Sequence, residues 1–209
     1  MVVITLRHAR PDYSRDPLDP VLAIEGGMQA HVTARALSIE GVTHMFASPF
    51  RRATETAGVI SEVLGLSVES QPLLSEYFIP DAMRDFRGLT RTELHQRYPF
   101  LTFPDGFPED HWWPEWPETE EDVSRRLAKW GSILFDRFGP TKSVLLNVGH
   151  GASAKALIEA FAEPGDLPNE WTHEHCGFSR VTVDAEGKGT VDYLNRIAYN
   201  TTKDGAVKM

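Results

Sequence analysis

Two arginines and two histidines stand at or just beyond the ends of runs typical of β-strands, in three separate places along the chain. Guanidinium groups bind phosphate oxygens bidentately, and a histidine nitrogen between them can attack phosphorus while the positive charge stabilises the anionic oxygens. Such a group predicts phosphoryl chemistry through a phosphohistidine. The four residues are Arg7, His8, Arg52 and His150.

The residues around His150 favour binding of an anion. Gly149 and Gly151 flank this histidine, and glycine lets the backbone approach a ligand closely. A helix that begins near Ala152 would direct its free amide groups at an anion in the same place. The chemistry also needs a proton donor for the departing alkoxide, for which a carboxylic acid with a raised pKa is suited.

The pattern along the chain predicts an α/β domain with a largely parallel sheet, because short β-rich runs alternate with helical periodicity. Ligands of such sheets bind at the carboxyl ends of the strands, so residues that follow different strands should meet there. One helix is predicted from Met28, Val32 and Ala36 at i, i+4 spacing, and another ends at Gly65. The candidate strands are residues 2–6, 43–48, 66–70, 143–148, 179–184 and 190–194.

A longer helix is marked at both ends. Thr119 and Asp122 form a capping-box pattern at its start, and Gly139-Pro140 stops it. Its predicted apolar face recurs at spacings of three and four residues. That face consists of Val123, Leu127, Trp130, Leu134 and Phe138.

The segment before this helix differs in composition from the rest of the chain. It is rich in acidic residues, prolines and aromatics, and it contains no lysine or arginine between residues 98 and 124. We predict one domain over residues 1–209 with an insertion or lid at about 98–118. The alternative is a surface loop whose aromatics pin it to the body of the domain. As a lid, Trp112, Trp113 and Trp116 would favour a substrate with an apolar or planar surface.

The composition, 41% hydrophobic and 24% charged, is typical of a soluble globular protein without a membrane span. A net charge of -9 argues against nucleic-acid or anionic-membrane partners but allows a small phosphorylated molecule in a local arginine cleft. Met1 is followed by a strand-like run rather than a secretory leader, and the single cysteine cannot form an internal disulfide. We therefore expect a cytoplasmic protein without a cofactor. The oligomeric state stays open, with a homodimer among the options.

Five motifs follow one another at plausible separations. They are Leu6-Arg7-His8-Ala9; Leu22 with Gly26 and Gln29-Ala30; Ser48-Pro49 with Arg52-Ala53 and Thr56-Ala57; Leu74-Ser75-Glu76; and Val148-Gly149-His150-Gly151. In this order they resemble the histidine phosphatase superfamily, in its phosphoglycerate mutase-like branch. The similarity spans residues 2–162, and the combination is far more specific than each motif alone. It implies a three-layer α/β/α fold with a mostly parallel central sheet.

The resemblance also implies a role for each matched residue. His8 corresponds to the phosphorylated nucleophile, while Arg7, Arg52 and His150 correspond to the residues that hold the transferring phosphoryl group. Glu76 matches the family's proton donor. Two carboxyl groups further along the chain, Asp81 and Asp85, are the alternatives for that role.

Two departures from the family pattern affect the expected contacts. Ala9 stands where the family usually has a glycine after the nucleophile, so the backbone there must accommodate a small side chain. Ser14 stands where mutase-like members usually carry an asparagine that contacts the phosphoryl group, and we expect Ser14 to bind phosphate in its place. Arg10 and Asp12 also differ from the usual residues, so substrate contacts are expected to differ.

Three functions are compatible with these residues. A phosphatase passes the phosphoryl group to water, whereas a mutase returns it to another hydroxyl of the same substrate and needs extra basic residues over the site. The acidic insertion favours the phosphatase, although Arg84, Arg87 and Arg91 keep the mutase open. The third function is a catalytically silent member that binds a phosphorylated ligand or a protein partner.

The run His173-Glu174-His175-Cys176 contains residues of the kinds that bind metals. No second ligand pair stands at a usual separation, so we predict no metal site. The run is instead predicted to be a loop that enters the strand at 179–184, with its polar side chains at the rim of the cleft.

Overall fold

The computed structural model describes residues 1–79, 83, 86–113, 117–163, 165–201 and 207–208. Its strands are β1 (Val2–Arg7), β2 (His44–Ala47), β3 (Val68–Ser70), β4 (Leu101–Thr102), β5 (Val144–Gly149), β6 (Phe178–Val183), β7 (Gly189–Arg196), β8 (Asn200–Thr201) and β9 (Val207–Lys208). Its helices are α1 (Ile24–Leu37), α2 (Arg51–Leu64), α3 (Arg91–Arg97), α4 (Glu120–Phe138) and α5 (Gly151–Glu159), with a 3₁₀ turn at Pro72–Leu74.

Seven strands form the central sheet in the order β4-β3-β2-β5-β1-β6-β7. The five from β4 to β1 are parallel to their neighbours, whereas β6 runs antiparallel to β1, and β7 runs antiparallel to β6. The predicted mostly parallel α/β sheet is therefore confirmed. The remaining pair, β8 and β9, forms a separate antiparallel ladder.

Helices cover both faces of the sheet and bury two separate apolar cores. On one face α1 packs beside α2 over a cluster that includes Leu6, Phe50 and Ile60. On the other face α4 packs beside α5 over a cluster that includes Trp130 and Leu157. The expected three-layer α/β/α architecture is confirmed. Within the described residues, no helix is long and apolar enough to cross a membrane.

Helix α4 forms as its end signals predict. The Thr119 hydroxyl accepts the Asp122 N–H, and the Asp122 carboxylate accepts the Thr119 N–H, so both halves of the capping box are present. All five residues of the predicted apolar face are buried. Helix α2 likewise ends at Gly65, whose φ of 68° is the left-handed conformation that favours glycine at a helix end.

Helix α1 forms as predicted, but the residues whose spacing indicated it do not make its buried face. Met28 is 39% exposed, and the buried face instead carries small or polar residues. Close packing explains this choice, because a Cβ atom on Gly26 would lie 2.2 Å from the Arg10 carbonyl oxygen. The buried residues of α1 are Gly26, Gln29, Ala30, Thr33, Ala34 and Leu37.

The acidic, aromatic segment is attached to the domain by Trp112. This side chain is buried, its indole N–H donates to the Leu89 carbonyl over 2.8 Å, and its ring packs against Phe50 and Phe86. The segment also adds strand β4, which the sequence did not predict. Trp112 thus pins the segment to the body, while Trp116 lies outside the described residues and the lid role stays a prediction.

Candidate active site

The middle of the sheet brings the three predicted strand ends together. Strands β2, β5 and β1 are direct neighbours, and Arg7 at the end of β1 is in register with Gly149 at the end of β5. The His8 N–H continues this ladder by donating to the Gly149 carbonyl over 2.9 Å. The residues after the three strands therefore meet at one edge of the sheet, as the predicted topology requires.

His8 is buried with one ring nitrogen occupied and the other directed at an arginine. Its Nδ1 lies 2.8 Å from the Ala9 carbonyl, which can only accept, so Nδ1 carries the ring hydrogen and Nε2 carries the lone pair. Burial is the main reason that the pKa of His8 lies well below its usual value, and the charge of Arg52 lowers it further. His8 is thus a neutral imidazole whose Nε2 lone pair accepts a hydrogen bond from Arg52.

Arg52, in the first turn of α2, donates its Nε–H to His8 Nε2 over 3.2 Å. Its guanidinium carbon lies 4.6 Å from the centre of the Phe50 ring, and its Nη2 lies 3.9 Å from an oxygen of Glu76. Only 5% of the residue is exposed. Burial lowers the pKa of Arg52, while the charge of Glu76 opposes that shift. A buried cation in the positive end of a helix needs an anionic partner, which a phosphoryl group would supply.

His150 precedes α5 and faces His8, with ring centres 5.1 Å apart. The Ser48 hydroxyl lies 2.9 Å from His150 Nε2. Ser48 Oγ already accepts the Phe50 N–H, so its own hydrogen can be donated to Nε2, which leaves the ring hydrogen of His150 on Nδ1. Burial and then the charge of Arg52 hold the pKa of His150 well below its usual value.

Glu76 follows the 3₁₀ turn and brings a carboxylate to the two histidines. Its Oε2 atom lies 3.6 Å from His150 Nδ1, and its Oε1 atom accepts the N–H of Tyr77. The chain around Glu76 is held by Arg126 from α4, which donates to the carbonyls of Leu73 and Ser75 over 2.8 and 3.0 Å. The alternative proton donors, Asp81 and Asp85, lie outside the described residues.

Arg7 is held by the loop that precedes β6. Its Nη1 donates to the His173 carbonyl over 2.7 Å, while the N–H of Cys176 donates back to the Arg7 carbonyl. His173 itself is buried, with its Nε2 2.8 Å from the Ser179 hydroxyl. The predicted loop at 173–176 thus acts as a support behind the arginine.

The other predicted residues differ in where they lie. Gly151 stands beside Arg7, since a Cβ atom on it would lie 3.9 Å from Arg7 Nε. Ala9 is fully buried, lies outside the left-handed region and donates its N–H to Thr56 Oγ1, so a glycine is not required there.

Ser14 is exposed on the loop after β1, where its N–H donates to Asp12 Oδ1. The described contacts do not bring Ser14 to the two histidines.

Three buried nitrogen atoms around His8 have no hydrogen-bond partner among the described residues: Arg7 Nε, Arg52 Nη1 and His150 Nδ1. Buried donors are almost always paired in folded proteins. A tetrahedral anion placed between the histidines would supply acceptors for these donors. The arrangement is therefore suited to a tetrahedral anion.

His8, Glu76 and His150 could also hold a metal ion by distance, since one ligand atom from each lies within 4.8 Å of the others. Arg52 opposes this, because its guanidinium donates to the same His8 nitrogen that a metal would need. A divalent cation there would face a buried positive charge at short range. The arrangement favours an anion.

Sequence reasoning missed two residues that support the site. Ser48 was noted only as part of a motif, yet it fixes the His150 ring. Arg126 was not considered, although it falls three residues after Val123 and four before Trp130, on the apolar face of α4. An arginine on the buried face of a helix was the signal that could have revealed it, because such a charge needs partners inside the protein.

Residues 3–196 match the model of the histidine phosphatase superfamily (branch 1). The protein "Putative phosphoserine phosphatase 2" of Hydrogenobacter thermophilus is 28% identical over 204 residues, which cover 93% of this chain and 95% of that protein. "Probable phosphoglycerate mutase GpmB" of Yersinia enterocolitica is 36% identical over 167 residues, covering 78% of this chain and 74% of that protein. The crystal structure of the ecdysone phosphate phosphatase of Bombix mori superposes with a TM-score of 0.75 at 16% identity, covering 97% and 96% of the two chains.

Proposed function

This chain belongs to the histidine phosphatase superfamily, and from that premise we propose that it hydrolyses small phosphate monoesters through a phosphohistidine on His8. One observation carries the proposal. The unprotonated Nε2 of His8 lies among buried donors without described partners, and the Glu76 carboxylate lies close to both histidines. This is the arrangement of a nucleophile, an anion-binding pocket and an acid.

The first step transfers the phosphoryl group from the ester to the enzyme. The lone pair of His8 Nε2 attacks phosphorus, a P–N bond forms, and the ester P–O bond breaks. Arg7, Arg52 and His150 Nδ1 donate hydrogen bonds to the three equatorial oxygens, whose negative charge they stabilise. The Glu76 carboxyl group supplies the proton to the departing alkoxide, so the alcohol leaves neutral.

The second step returns the enzyme to its starting state. Glu76, now a carboxylate, takes a proton from a water molecule that attacks phosphorus from the side the alcohol left. The P–N bond breaks, its electron pair returns to His8 Nε2, and inorganic phosphate departs. The hydrogen bond from His8 Nδ1 to the Ala9 carbonyl keeps the same tautomer through both steps, so the ring presents Nε2 each time.

Phosphoglycerate mutase activity is the second candidate, favoured by the name of the 36% identical relative. The described arginines near the insertion support it weakly. Arg91 forms an exposed ion pair with Glu109 over 2.6 Å, and Arg87 donates to the carbonyl of its neighbour Phe86. A mutase must hold the carboxylate of the phosphoglycerate while the intermediate reorients in the pocket. The contacts just described bind both arginine side chains elsewhere.

The test is phosphate release from 4-nitrophenyl phosphate and a panel of phosphorylated metabolites, run beside a phosphoglycerate mutase assay. We expect hydrolysis that His8→Ala abolishes, and a base-stable, acid-labile phosphoenzyme after rapid quenching of the unsubstituted protein. Interconversion of phosphoglycerates faster than their hydrolysis would favour the mutase. Phosphate binding without release from any ester would favour the silent member and overturn the proposal.

A further inference from the structure

A fourth buried nitrogen without a described partner borders the pocket, and no role has been assigned to it. This atom is Nε2 of His175, whose ring centre lies 5.5 Å from that of His8. The corresponding nitrogens of Arg7, Arg52 and His150 face the phosphoryl group in the proposed reaction. A fourth such atom beside the other three is suited to a further ligand group, because buried polar atoms are usually paired.

His175 is held firmly in this position. Cys176 adopts a left-handed φ of 54°, which turns its N–H toward the carbonyls of Arg7 and His8 at 3.0 and 3.3 Å. The Tyr199 hydroxyl donates to the His175 carbonyl over 2.6 Å. These contacts hold the backbone at His175 next to the strand end that carries the nucleophile, and the ring packs against that of His8.

His175 also lines a groove on the outer side of the pocket. The groove has a volume of about 650 Å³ and lies between the loop after β1 and the start of α1. Two large apolar side chains border it, Tyr13 at 55% and Ile24 at 85% exposure. Apolar side chains this exposed at the mouth of a cleft are suited to cover the apolar part of a ligand.

We propose that this groove binds the alcohol part of the phosphate ester, that His175 Nε2 hydrogen-bonds to the ester where it enters the groove, and that the alcohol is neutral or cationic with an apolar face. The inference rests on the proposed function, since it assigns the leaving-group side of the same reaction. His175 lies beside the nucleophile and also lines the groove, so its side chain can reach an ester that extends from one to the other.

The charges around the groove determine which charge on the alcohol is favoured. The groove is lined by two carboxylates, those of Asp12 and Glu25, and by one guanidinium, that of Arg10, so the lining carries a net negative charge. Hydrogen bonds from the Ser14 side chain and N–H lower the pKa of Asp12, which keeps that carboxylate ionised. Burial and the nearby arginines lower the pKa of His175 to about 4, so this ring adds no charge at neutral pH. An anionic alcohol would be repelled there, whereas the phosphoryl group keeps its own arginines.

Three benzyl phosphates test the charge preference, because they differ in charge at one remote position and little in leaving-group reactivity. The probes are benzyl phosphate and its 4-carboxy and 4-aminomethyl derivatives. We expect kcat/KM to be about tenfold lower for the carboxylate than for the amine, as for charges interacting near a protein surface. Asp12→Asn with Glu25→Gln should remove most of that difference. Glu62→Gln, on the exposed face of α2, changes the net charge without touching the groove and should preserve the difference.

His175 is tested by two substitutions of different chemistry. His175→Phe keeps a ring against His8 but removes Nε2, and we expect KM for benzyl phosphate to rise about tenfold, as for one lost hydrogen bond. His175→Gln, which restores a polar group, should recover part of the loss. A fall in kcat at unchanged KM would overturn the role in substrate binding.

Binding of the matching benzylphosphonates, measured by calorimetry, separates this inference from the proposed function. Phosphonates bind without being hydrolysed, so the charge order can be measured even in an inactive protein. The same order with no hydrolysis of any ester would retain the groove and overturn the phosphatase. Hydrolysis at equal kcat/KM across the series, or an unchanged order in the double variant, would retain the phosphatase and overturn the groove.

Discussion

The guanidinium of Arg52 directs its Nε–H at Nε2 of His8 over 3.2 Å. This hydrogen bond occupies the lone pair that attacks phosphorus in the proposed reaction. An arriving phosphate offers Arg52 charged oxygens, which are better acceptors than a neutral imidazole. Arg52 therefore has a reason to transfer its hydrogen bond to the substrate and release the nucleophile as the ester binds.

Arg52→Lys should lower kcat/KM by at least about 100-fold, because an ammonium cannot present a planar fork to the phosphoryl oxygens. Arg51→Gln is the matched control. The Arg51 side chain forms an ion pair with Asp16 over 3.1 Å and does not contact the histidines in the described structure. Steady-state hydrolysis of 4-nitrophenyl phosphate measures both effects. Full activity in Arg52→Lys would show that Arg52 acts only through its positive charge, and an equal loss in Arg51→Gln would show that the effect is not specific to Arg52.

The buried histidines should make the protein less stable in weak acid. His8 is neutral in the folded state because burial lowers its pKa, whereas in the unfolded chain it takes up a proton below about pH 6.5. The unfolded state then binds more protons, so below about pH 6.5 stability decreases by about 1.4 kcal/mol for each unit by which the pH is lowered, for each such histidine. Urea unfolding between pH 7.5 and 5.5 should show a shallower fall in His8→Gln. An unchanged slope would contradict a neutral His8.

The proton donor can be identified from the dependence on the leaving group. A 4-nitrophenolate leaves without protonation, whereas an alkoxide needs the proton, so Glu76→Gln should cost alkyl esters about 100-fold and 4-nitrophenyl phosphate much less. Asp81→Asn and Asp85→Asn, the alternatives, should leave this ratio unchanged. A change in the ratio for either aspartate variant, or equal losses for both esters in Glu76→Gln, would remove Glu76 from the role.

Asp19 should limit stability above its pKa. Burial raises that pKa to about 6 from 3.8, while the Arg51 N–H lowers it in part. Below pH 3.8 the carboxyl group is protonated in both the folded and the unfolded state and does not lower stability. Between pH 3.8 and pH 6 the unfolded chain loses this proton before the folded protein does, so the free energy of unfolding falls as the pH rises. Asp19→Asn can still accept the Arg51 N–H, so relative to the unsubstituted protein it should gain about 2 to 3 kcal/mol between pH 4 and pH 8. Unfolding free energies at both values measure this gain. The exposed Asp105→Asn should show none.

The sequence predicted the elements that local patterns determine. The strand ends around Arg7, His8 and His150 follow from runs of apolar residues, and their meeting follows from the topology of a parallel sheet. The buried face of α1 could not be predicted, because it depends on close approach to the loop after β1 rather than on hydrophobicity. Strand β4 was missed since only two residues pair there.

The supporting side chains were harder to predict than the nucleophile. Ser48 and His175 act through partners far away in sequence, 102 residues in the case of Ser48 and His150. Composition and periodicity do not report such contacts. Only the resemblance to a family identified Glu76. That resemblance does not identify the residues that hold the carboxylate in place.

Arg126 is expected to position Glu76. Its guanidinium binds Glu118 through two contacts of 2.7 Å and donates to the carbonyls of Leu73 and Ser75, on the chain that leads to Glu76. The Arg126 and Glu118 side chains are only 14% and 9% exposed. Arg126→Met would leave the Glu118 carboxylate buried and unpaired, which should cost about 3 to 5 kcal/mol of stability.

Loss of stability alone would not show a positioning role, so the charge must be removed from both partners. Arg126→Met with Glu118→Gln should recover most of the stability yet still hydrolyse alkyl esters poorly relative to 4-nitrophenyl phosphate, because the carbonyls before Glu76 stay unheld. Arg125→Met, one residue away, removes exposed pairs with Glu121 and Asp122 and should change stability by less than about 1 kcal/mol. A double variant whose ratio of alkyl to aryl hydrolysis equals that of the unsubstituted protein would show that Arg126 serves the fold and not Glu76.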